Sequence, residues 1–557
     1  MKPFALLIAG LVASCSASPT KPEPPAELPK DGPVHVKIIG INDFHGNLEG
    51  PSGKVTVGED VIEAGGVDYL AARIHEISKY NPNFVVVGAG DMVGASPLIS
   101  SLFHDEPAIE TLNEAGLAIT AVGNHEFDEG VDELLRLKKG GCHPTDGCQD
   151  GDGFEGAKFE FLAANVTYKT DGETIFPAAV VREFEGVPVG FIGLTLEGTP
   201  QIVDPSGITS VDFADEAQTI NANVETLKAQ GISAIVVLIH EGGLQSTRNT
   251  PDGCEGISGP ILEIVQNTSK DVDVFVTGHT HQAYNCTIDG RLVTSAKSYG
   301  QMLTEIDLTL DRTTGDVTEA SAKNLVVDRT GEPMASVTAI VDKYRAIVEP
   351  LANRRIGEIK GDLLRESGES GDSVLGRVIA DSQLWATKAS DKGGAQIAFM
   401  NPGGVRGDIA FASANTDGPG VVTYAEAHTV QPFGNSLVTM TLTGAQIHQL
   451  LECQFDGDRP SIMHPSQGFT YTWSQSAERG KKVDPKTITL AGKTLDPATG
   501  YRVTVNSFVA AGGGGCDAWA QGTDRVGGPL DLDAFVNYLG EYSPLEPPTT
   551  SRITLIP

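Results

Sequence analysis

Positive charge is what this chain has least of. Its 557 residues hold 40 Lys and Arg against 73 Asp and Glu, a formal net charge of -33 at pH 7. Such a field repels nucleic acid polymers and anionic membrane surfaces, so neither is expected as a partner. Beyond the N-terminus no apolar run approaches membrane-spanning length. No solenoid-type repeat and no long low-complexity block is present. Cysteine is also scarce, with 7 residues, and none falls among the ligand runs described below, which argues against a thiolate metal centre.

What is present is ordinary for a globular protein: 20 % charged and 40 % hydrophobic residues, in a chain long enough for two or more domains. The acidity either keeps an exported protein soluble or is a field that an anionic substrate must overcome through local cations. The two readings are compatible.

The first residues read as an export signal. Lys2 supplies the positive end and Phe4–Ala13 a short apolar segment. It leads into Val12-Ala13-Ser14-Cys15, which resembles a bacterial lipoprotein processing box, so residues 1–14 are expected to be removed and Cys15 lipidated. A plain secretory leader that happens to contain a cysteine is the alternative. Residues 15–33, rich in Pro, Ser, Lys and Glu, suit a tether above a bilayer. The predicted location is therefore periplasmic or cell-surface, with membrane attachment only through Cys15. The remaining six cysteines form an even set, as disulfides in an exported protein would require. Sequence leaves their connectivity open; the expected pairs are Cys142–Cys148, Cys254–Cys286 and Cys453–Cys516.

From Val34 to about residue 330, strand-like runs alternate with helical stretches such as Val67–Ser78, Pro107–Ala115 and Ala214–Gln230, a layered α/β pattern. Residues 331–355 form a connector, with Ser336–Arg355 carrying apolar residues at helical spacing. A smaller mixed α/β block is expected over 356–557, built on the helix Ser373–Thr387 and the strands Ala395–Met400, Leu437–Leu442, Tyr501–Val505 and Ile553–Ile556.

Five apolar runs in the first block end in metal-binding residue types. Val34–Ile41 leads to Asp43-Phe-His45, Phe84–Ala89 to Gly90-Asp91, and Leu117–Val122 to Gly-Asn124-His125-Glu. Ser233–Ile239 leads to His240, and Val272–Thr277 to Gly-His279-Thr-His281. Ligands arriving from the carboxyl ends of several strands are how an α/β sheet builds an active site. Asp43 with His45, and His279 with His281, are two apart; in extended segments each pair would project to one side and reach one ion. Asp91 has two oxygens and suits a bridge between two ions, its alternative being a helix cap. Asn124 and His125 are adjacent and point apart, so Asn124 is the expected ligand and His125 faces the cavity. Asp128 is placed to hold the far ring nitrogen of His125 for acid–base or electrostatic work; helix capping before Val131–Leu137 is its alternative. Oxygen and imidazole donors without thiolate fit Zn, Mn, Fe or Co. The pattern points to a two-metal hydrolase.

These ordered motifs resemble those of calcineurin-like metallophosphoesterases. With Asn401-Pro-Gly-Gly-Val-Arg406, Pro432-Phe-Gly-Asn435 and Asn506-Ser-Phe508 followed by glycines, the chain resembles the bacterial secreted 5′-nucleotidase/UDP-sugar hydrolase family from Val34 onward. The resemblance implies a four-layer αββα metallophosphatase domain, a hinge helix and a nucleoside-binding domain. It implies two divalent ions bridged by Asp91, one held by Asp43, His45 and His281 and the other by Asn124, His240 and His279. It implies a catalytic dyad of His125 and Asp128, base stacking between Phe433 and Phe508, and substrate contacts from Arg365, Asn401, Arg406 and Asn435. Two departures stand out: Gly514 occupies a place where relatives commonly carry a carboxylate, with Asp517 nearby, and Glu369 replaces an arginine of some relatives.

The implied activity is phosphate release from 5′-nucleotides, with UDP-sugars as a further substrate. Rival readings on this scaffold are a 2′,3′-cyclic nucleotide phosphodiesterase and a thiosulfohydrolase, although thiosulfate offers Phe433 and Phe508 no ring to stack. A non-catalytic nucleotide-binding surface protein is the rival from outside enzymology.

Overall fold

The computed structural model describes residues 32–557 apart from 247–249, 413–417, 458–459 and 515. The leader, Cys15 and the tether as far as residue 31 lie outside the described residues, as does the side chain of Asp517.

Two six-stranded sheets form the centre of the first block. The first runs Val317–Val326, Met302–Leu310, Val34–Ile41, Phe84–Ala89, Ile119–Ala121, Glu160–Leu162; the second runs Ala283–Ile288, Arg291–Ala296, Val274–Thr277, Ala234–Ile239, Val187–Leu194, Ala179–Phe184. The middle strands of each sheet are parallel, so their carboxyl ends share one rim.

Ala234–Ile239 is continuously apolar because it is buried on both faces, while Val34–Ile41 is interrupted at its start by His35 and Lys37. With side chains alternating at period two, Val34, Val36 and Ile38 pack between the sheets while Ile39 and Ile41 face the helices outside. In the second sheet Ala234, Val236 and Leu238 point inward to the same cluster, and Ile235, Val237 and Ile239 point outward. Helices Val67–Lys79, Glu106–Ala115 and Val131–Lys139 cover the first sheet, and Glu216–Ala229 and Ile261–Asn267 cover the second. The result is the expected αββα stack.

The connecting helix is shorter than its sequence pattern. It spans Ala335–Ala352, and Arg355 already belongs to a strand, Arg355–Glu358, paired with Val421–Thr423. Its buried stripe of Val337, Val341, Tyr344 and Val348 packs into the outer helical layer of the first sheet. Leu351 and Ala352 still pack against that layer, and the chain leaves the helix at Asn353.

Beyond it, a five-stranded mixed sheet runs His464–Pro465, Ile397–Met400, Gly500–Asn506, Ser436–Thr443, Thr523–Leu530. The helix Val374–Thr387 starts at Ser373, whose hydroxyl accepts from the Gly376 N–H at 3.0 Å, satisfying one orphan donor of the first turn. All three expected disulfides are formed: Cys142–Cys148, Cys254–Cys286 and Cys453–Cys516.

Candidate metal centre and substrate cavity

The carboxyl rim of both sheets brings the seven expected ligand side chains together. Asp91 Oδ2 lies 2.9 Å from His240 Nε2 and 3.6 Å from His45 Nε2. Asn124 Oδ1 lies 3.1 Å from both His240 Nε2 and His279 Nδ1. His281 Nε2 lies 3.2 Å from His45 Nε2 and 3.4 Å from Asp43 Oδ1. Three overlapping groups of donor atoms emerge, Asp43/His45/His281, Asp91/His240/His279 and His45/Asp91/His125, each with its atoms within 4.8 Å of one another. Donors ~2.1 Å from a tetrahedral ion stand roughly 3.4 Å apart, and these spacings fit that requirement. Asp91 reaches into both neighbourhoods through His45 and His240.

The charge balance also asks for cations. Asp43, His45, Asp91 and His240 are fully buried. Burial opposes ionisation of Asp91, yet His240 and His125 hold it well below the usual carboxylate range. Burial likewise opposes the His240 cation, and Asp91 nevertheless pushes it up to about 10. A divalent ion would meet that demand and leave the imidazoles neutral. Burial already drives His45 well below its ordinary value and His279 down to about 4.

Backbone contacts aim the donors. Nδ1 of His45 sits 2.8 Å from the Gly94 carbonyl, and Nδ1 of His240 sits 2.8 Å from the Ala89 carbonyl. A proton on Nδ1 in each ring leaves the Nε2 lone pair for an ion. Gly90 permits this closeness: a Cβ there would lie 2.6 Å from His240 Nδ1 and 2.7 Å from the Gly123 backbone.

The route by which the paired ligands converge differs from the extended geometry expected of them. Asp43 and His45 (φ 49° each), Asp91 (54°), His279 (68°) and His281 (54°) all adopt left-handed backbone. The chain turns sharply past each strand end: Asp43 and His45 share one donor group, whereas His279 and His281, expected to reach one ion, divide between the two groups. Such conformations cost of order 1–3 kcal/mol each and persist where surroundings enforce them. Here Asp43 N–H donates to the Gly90 carbonyl (3.1 Å), His45 N–H to the Asp91 carbonyl (3.0 Å), and His279 N–H to Asp43 Oδ1 (3.0 Å).

His125 and Asp128 meet as expected, Nδ1 to Oδ2 at 2.8 Å. Burial works against a cationic His125, and the Asp128 and Asp91 carboxylates outweigh it, raising its pKa. Asp128 also accepts from the Ala95 N–H at 3.1 Å; it does not cap the helix Val131–Lys139, which starts from Gly130.

Sequence reasoning assigned no role to several residues that build this site. Buried Glu126 accepts from the backbone N–H groups of Asp91 (3.0 Å), Met92 (2.7 Å) and Gly123 (2.6 Å), tying two ligand loops together. Its place directly after Asn124-His125 was the available signal. Asn42 donates to Asp43 Oδ2 (2.6 Å) and to the Lys297 carbonyl (2.7 Å). Asp105 receives the Gly94 N–H at 2.9 Å and so steadies the turn that orients His45.

The second block closes over this cluster. A cavity of about 410 Å³ is lined by His125, Asp128, Asn401, Arg406, Phe433, Asn435, Phe508 and Gly514. The Phe433 ring stacks over His125 with centroids 5.9 Å apart and 14° between planes, and the Arg406 guanidinium lies 5.8 Å from the Phe433 centroid. Phe508 is packed by Gly513, where a Cβ would fall 2.4 Å from the ring. Asn435 lines the cavity, but its Oδ1 accepts from Ser507 Oγ (2.9 Å) and Phe508 N–H (3.2 Å), so this oxygen holds the Phe508 turn. Asn401 Oδ1 accepts from Asn506 Nδ2 at 2.9 Å. Gly514 offers its N–H to the Gln201 carbonyl at 2.7 Å, a backbone contact between the two blocks.

Arg365 stands apart from the aromatic cavity. It lines a second, more polar cavity of about 720 Å³ on the Asp91/His281 side, together with Lys54, Lys297 and Arg406. Its Nη1 donates to the Arg406 carbonyl at 2.9 Å. In a chain this acidic, four cations at one opening are a local reversal of the global field.

Residues 36–283 match the calcineurin-like phosphoesterase family, and residues 355–521 match the C-terminal domain of 5′-nucleotidases. The chain is 35 % identical over 517 residues to Endonuclease YhcR of Bacillus subtilis, covering 91 % of this chain and 40 % of that protein. This chain thus spans less than half the length of that relative. It is 32 % identical over 565 residues to Cell wall protein Lmo0130 of Listeria monocytogenes, covering 96 % of this chain and 70 % of that one. The crystal structure of a 5′-nucleotidase precursor from Thermus thermophilus superposes with a TM-score of 0.75 at 26 % identity, covering 94 % of this chain and 99 % of that chain.

Proposed function

This chain belongs to the 5′-nucleotidase family of calcineurin-like phosphoesterases and is a metal-dependent phosphoester hydrolase; from that premise we propose that it is an exported two-metal enzyme that releases phosphate from 5′-nucleotides. The observation that carries this reading is Asp91, shared between two nitrogen-rich donor groups beside an aromatic cavity. Asp43, His45 and His281 would hold one ion, Asn124, His240 and His279 would hold the other, and Asp91 would be shared between them. Zn, Mn, Fe and Co all suit this donor set.

When bound, the ions supply positive charge to the phosphoryl oxygens and lower the pKa of water toward ~7. The chain's own residues do the rest. His125, held at Nδ1 by Asp128, presents Nε2 to a phosphoryl oxygen and stabilises charge developing there. Arg406 lines both cavities and balances the phosphate. Phe433 and Phe508 stack the base, which every nucleobase can satisfy with its π-face. Asn435 positions Phe508, and Asn401 and Arg365 complete the substrate surround.

UDP-sugar hydrolysis is favoured as a second activity by the polar cavity beside the cluster. It leaves room, and the cations Lys54, Lys297 and Arg365, for a group on the far side of the scissile phosphate. Export rests on the leader-like N-terminus and on three disulfides, which persist in oxidising compartments; the Listeria relative carries the name of a cell wall protein. Lipid attachment at Cys15 is the accompanying expectation.

Assays of AMP, UDP-glucose, a 2′,3′-cyclic nucleotide and an aryl phosphate, each with added Mn or Zn, test the reading. AMP is expected to be turned over best. Preference for the cyclic nucleotide would replace it with the diesterase reading, and no turnover of any substrate would leave a nucleotide-binding surface protein.

A further inference from the structure

The imidazoles of the metal cluster are not all held in the same way. His45 and His240 are each aimed at Nδ1 by a backbone carbonyl, and their side chains are 1 % and 0 % exposed. His281 has 28 % of its side chain exposed, and among the described residues no hydrogen bond reaches its Nδ1. Its ring is met instead by Tyr299, edge to face, with centroids 5.2 Å apart and 81° between planes. Tyr299 also lies against His45, with centroids 5.7 Å apart, and its backbone N–H donates to the Asp43 carbonyl at 2.7 Å. One residue therefore touches all three donors of the Asp43/His45/His281 group. Among the described residues, none of its ring contacts or hydrogen bonds goes to Asp91, His240 or His279.

We propose that Tyr299 is a positioning residue that holds the His281 ring in its metal-binding orientation and so sets the affinity of the Asp43/His45/His281 ion alone. The proposal rests on the two-metal reading above.

The backbone is the first support. Tyr299 and Lys297 adopt left-handed conformations, φ 61° and 65°. Bulky residues rarely do so, and such strain persists where the surroundings enforce it. The segment that carries Tyr299 links Arg291–Ala296 of the second sheet to Met302–Leu310 of the first, so it crosses the rim where the ligands converge. Ser52 Oγ donates to the Tyr299 carbonyl at 2.7 Å. Asn42 Nδ2 donates to the Lys297 carbonyl at 2.7 Å and to Asp43 Oδ2 at 2.6 Å, which fastens the strained turn to the loop that carries Asp43 and His45.

The second support is what the ring can do. Edge-to-face rings with centroids 4.5–7 Å apart attract each other, and a packed imidazole has already lost the freedom that metal binding would otherwise take from it. Other ligand histidines obtain this from a hydrogen bond behind the ring. His281 obtains it from an aromatic neighbour. Tyr299 and His281 line the same polar cavity, so the phenol ring also occupies space into which a loose His281 could swing. The role belongs to the ring and not to its hydroxyl.

The test uses the cobalt-loaded full-length protein as wild type, Tyr299→Phe, Tyr299→Leu and Tyr299→Gly. Each is exposed to graded chelator, and the cobalt left per chain is read by elemental analysis and by the visible absorption of the bound ion. Glycine suits φ 61° without strain, so it serves if the leucine variant folds poorly. Wild type and Tyr299→Phe are expected to hold two equivalents. Tyr299→Leu and Tyr299→Gly should release one equivalent at a chelator concentration at least tenfold lower, the usual scale for a lost ligand-orienting partner, and keep the other as wild type does. Retention of both equivalents in Tyr299→Leu and Tyr299→Gly would overturn the assignment, as would equal weakening of both ions or a Tyr299→Phe variant as weak as Tyr299→Leu. Fewer than two equivalents in wild type would instead overturn the two-metal reading, and this assignment with it.

Discussion

Replacing His125 by Ala separates chemistry from metal binding more cleanly than any other change in this molecule. The ring makes one strong side-chain contact, Nδ1 to Asp128 Oδ2 at 2.8 Å, and its backbone N–H donates to Asp91 Oδ1 at 2.9 Å. Truncation keeps the backbone contact and therefore the bridging carboxylate. The seven proposed ligands stay in place, and metal content should remain within error of wild type. What disappears is a cationic donor aimed at the phosphoryl group from a buried position. Loss of one such preorganised donor costs roughly 10²–10³ in kcat, about 3–4 kcal/mol. Asp128→Asn leaves the ring in place but weakens its cationic form, so a smaller loss, on the order of tenfold, is expected. Steady-state kinetics on AMP alongside elemental analysis of the same preparations reads both quantities. If His125→Ala loses its metals yet retains wild-type rate per bound metal, His125 is a ligand and its assignment here is wrong.

Phe433→Ala and Phe508→Ala should each raise KM for AMP by roughly 10–100-fold, since base–aromatic stacking contributes about 1–3 kcal/mol per base; KM for an aryl phosphate too small to span the cavity should move little, and equal effects on both substrates would refute the stacking role. Asp91→Ala should cost most of the bound metal and nearly all turnover, as should a strong chelator, and a chelator-resistant rate would end the metal-dependent reading. His104 titrates at about 9 when folded against 6.5 ordinarily. A raised value means its stabilisation is complete below ~6.5 and lost as pH rises through ~9. In chelator-treated protein, His104→Gln should therefore lower stability at pH 6 and be neutral above pH 10. Full linkage would be about 3 kcal/mol, and solvent screening of its half-exposed partners Glu129 and Asp146 reduces the expectation to roughly 1 kcal/mol. A melting-temperature difference that does not shrink between pH 6 and 10 would contradict it.

Much of the first block was legible because its signals are local. Ala234–Ile239 reads as an unbroken apolar run and Val34–Ile41 as one interrupted by His35 and Lys37, since the faces of each strand are largely covered, and polar ligand types at the ends of such runs stand out against them. Strand ends were less legible: Leu117–Val122 is a strand only over Ile119–Ala121, and Val272–Thr277 only over Val274–Thr277, because pairing partners set where a strand stops. The connecting helix failed at its far end for a related reason. Its last periodic apolar residue, Leu351, does pack on the outer layer, but Arg355 is claimed by pairing with Thr423, a partner far away in sequence.

By itself, then, the order of residues determined which segments would be buried strands, which donor atoms would wait at their ends, and how acidic the surroundings would be. All three follow from side-chain chemistry within a few neighbours. Only the tertiary structure decided that Asp43 would meet His281 across two sheets, and that left-handed turns would aim the paired ligands. It alone put Asn435 Oδ1 to work holding the Phe508 turn, sent Arg365 to a different cavity from Phe433, and left His104 facing His143. Contacts between residues tens or hundreds of positions apart depend on how whole layers stack, and no local pattern encodes that distance.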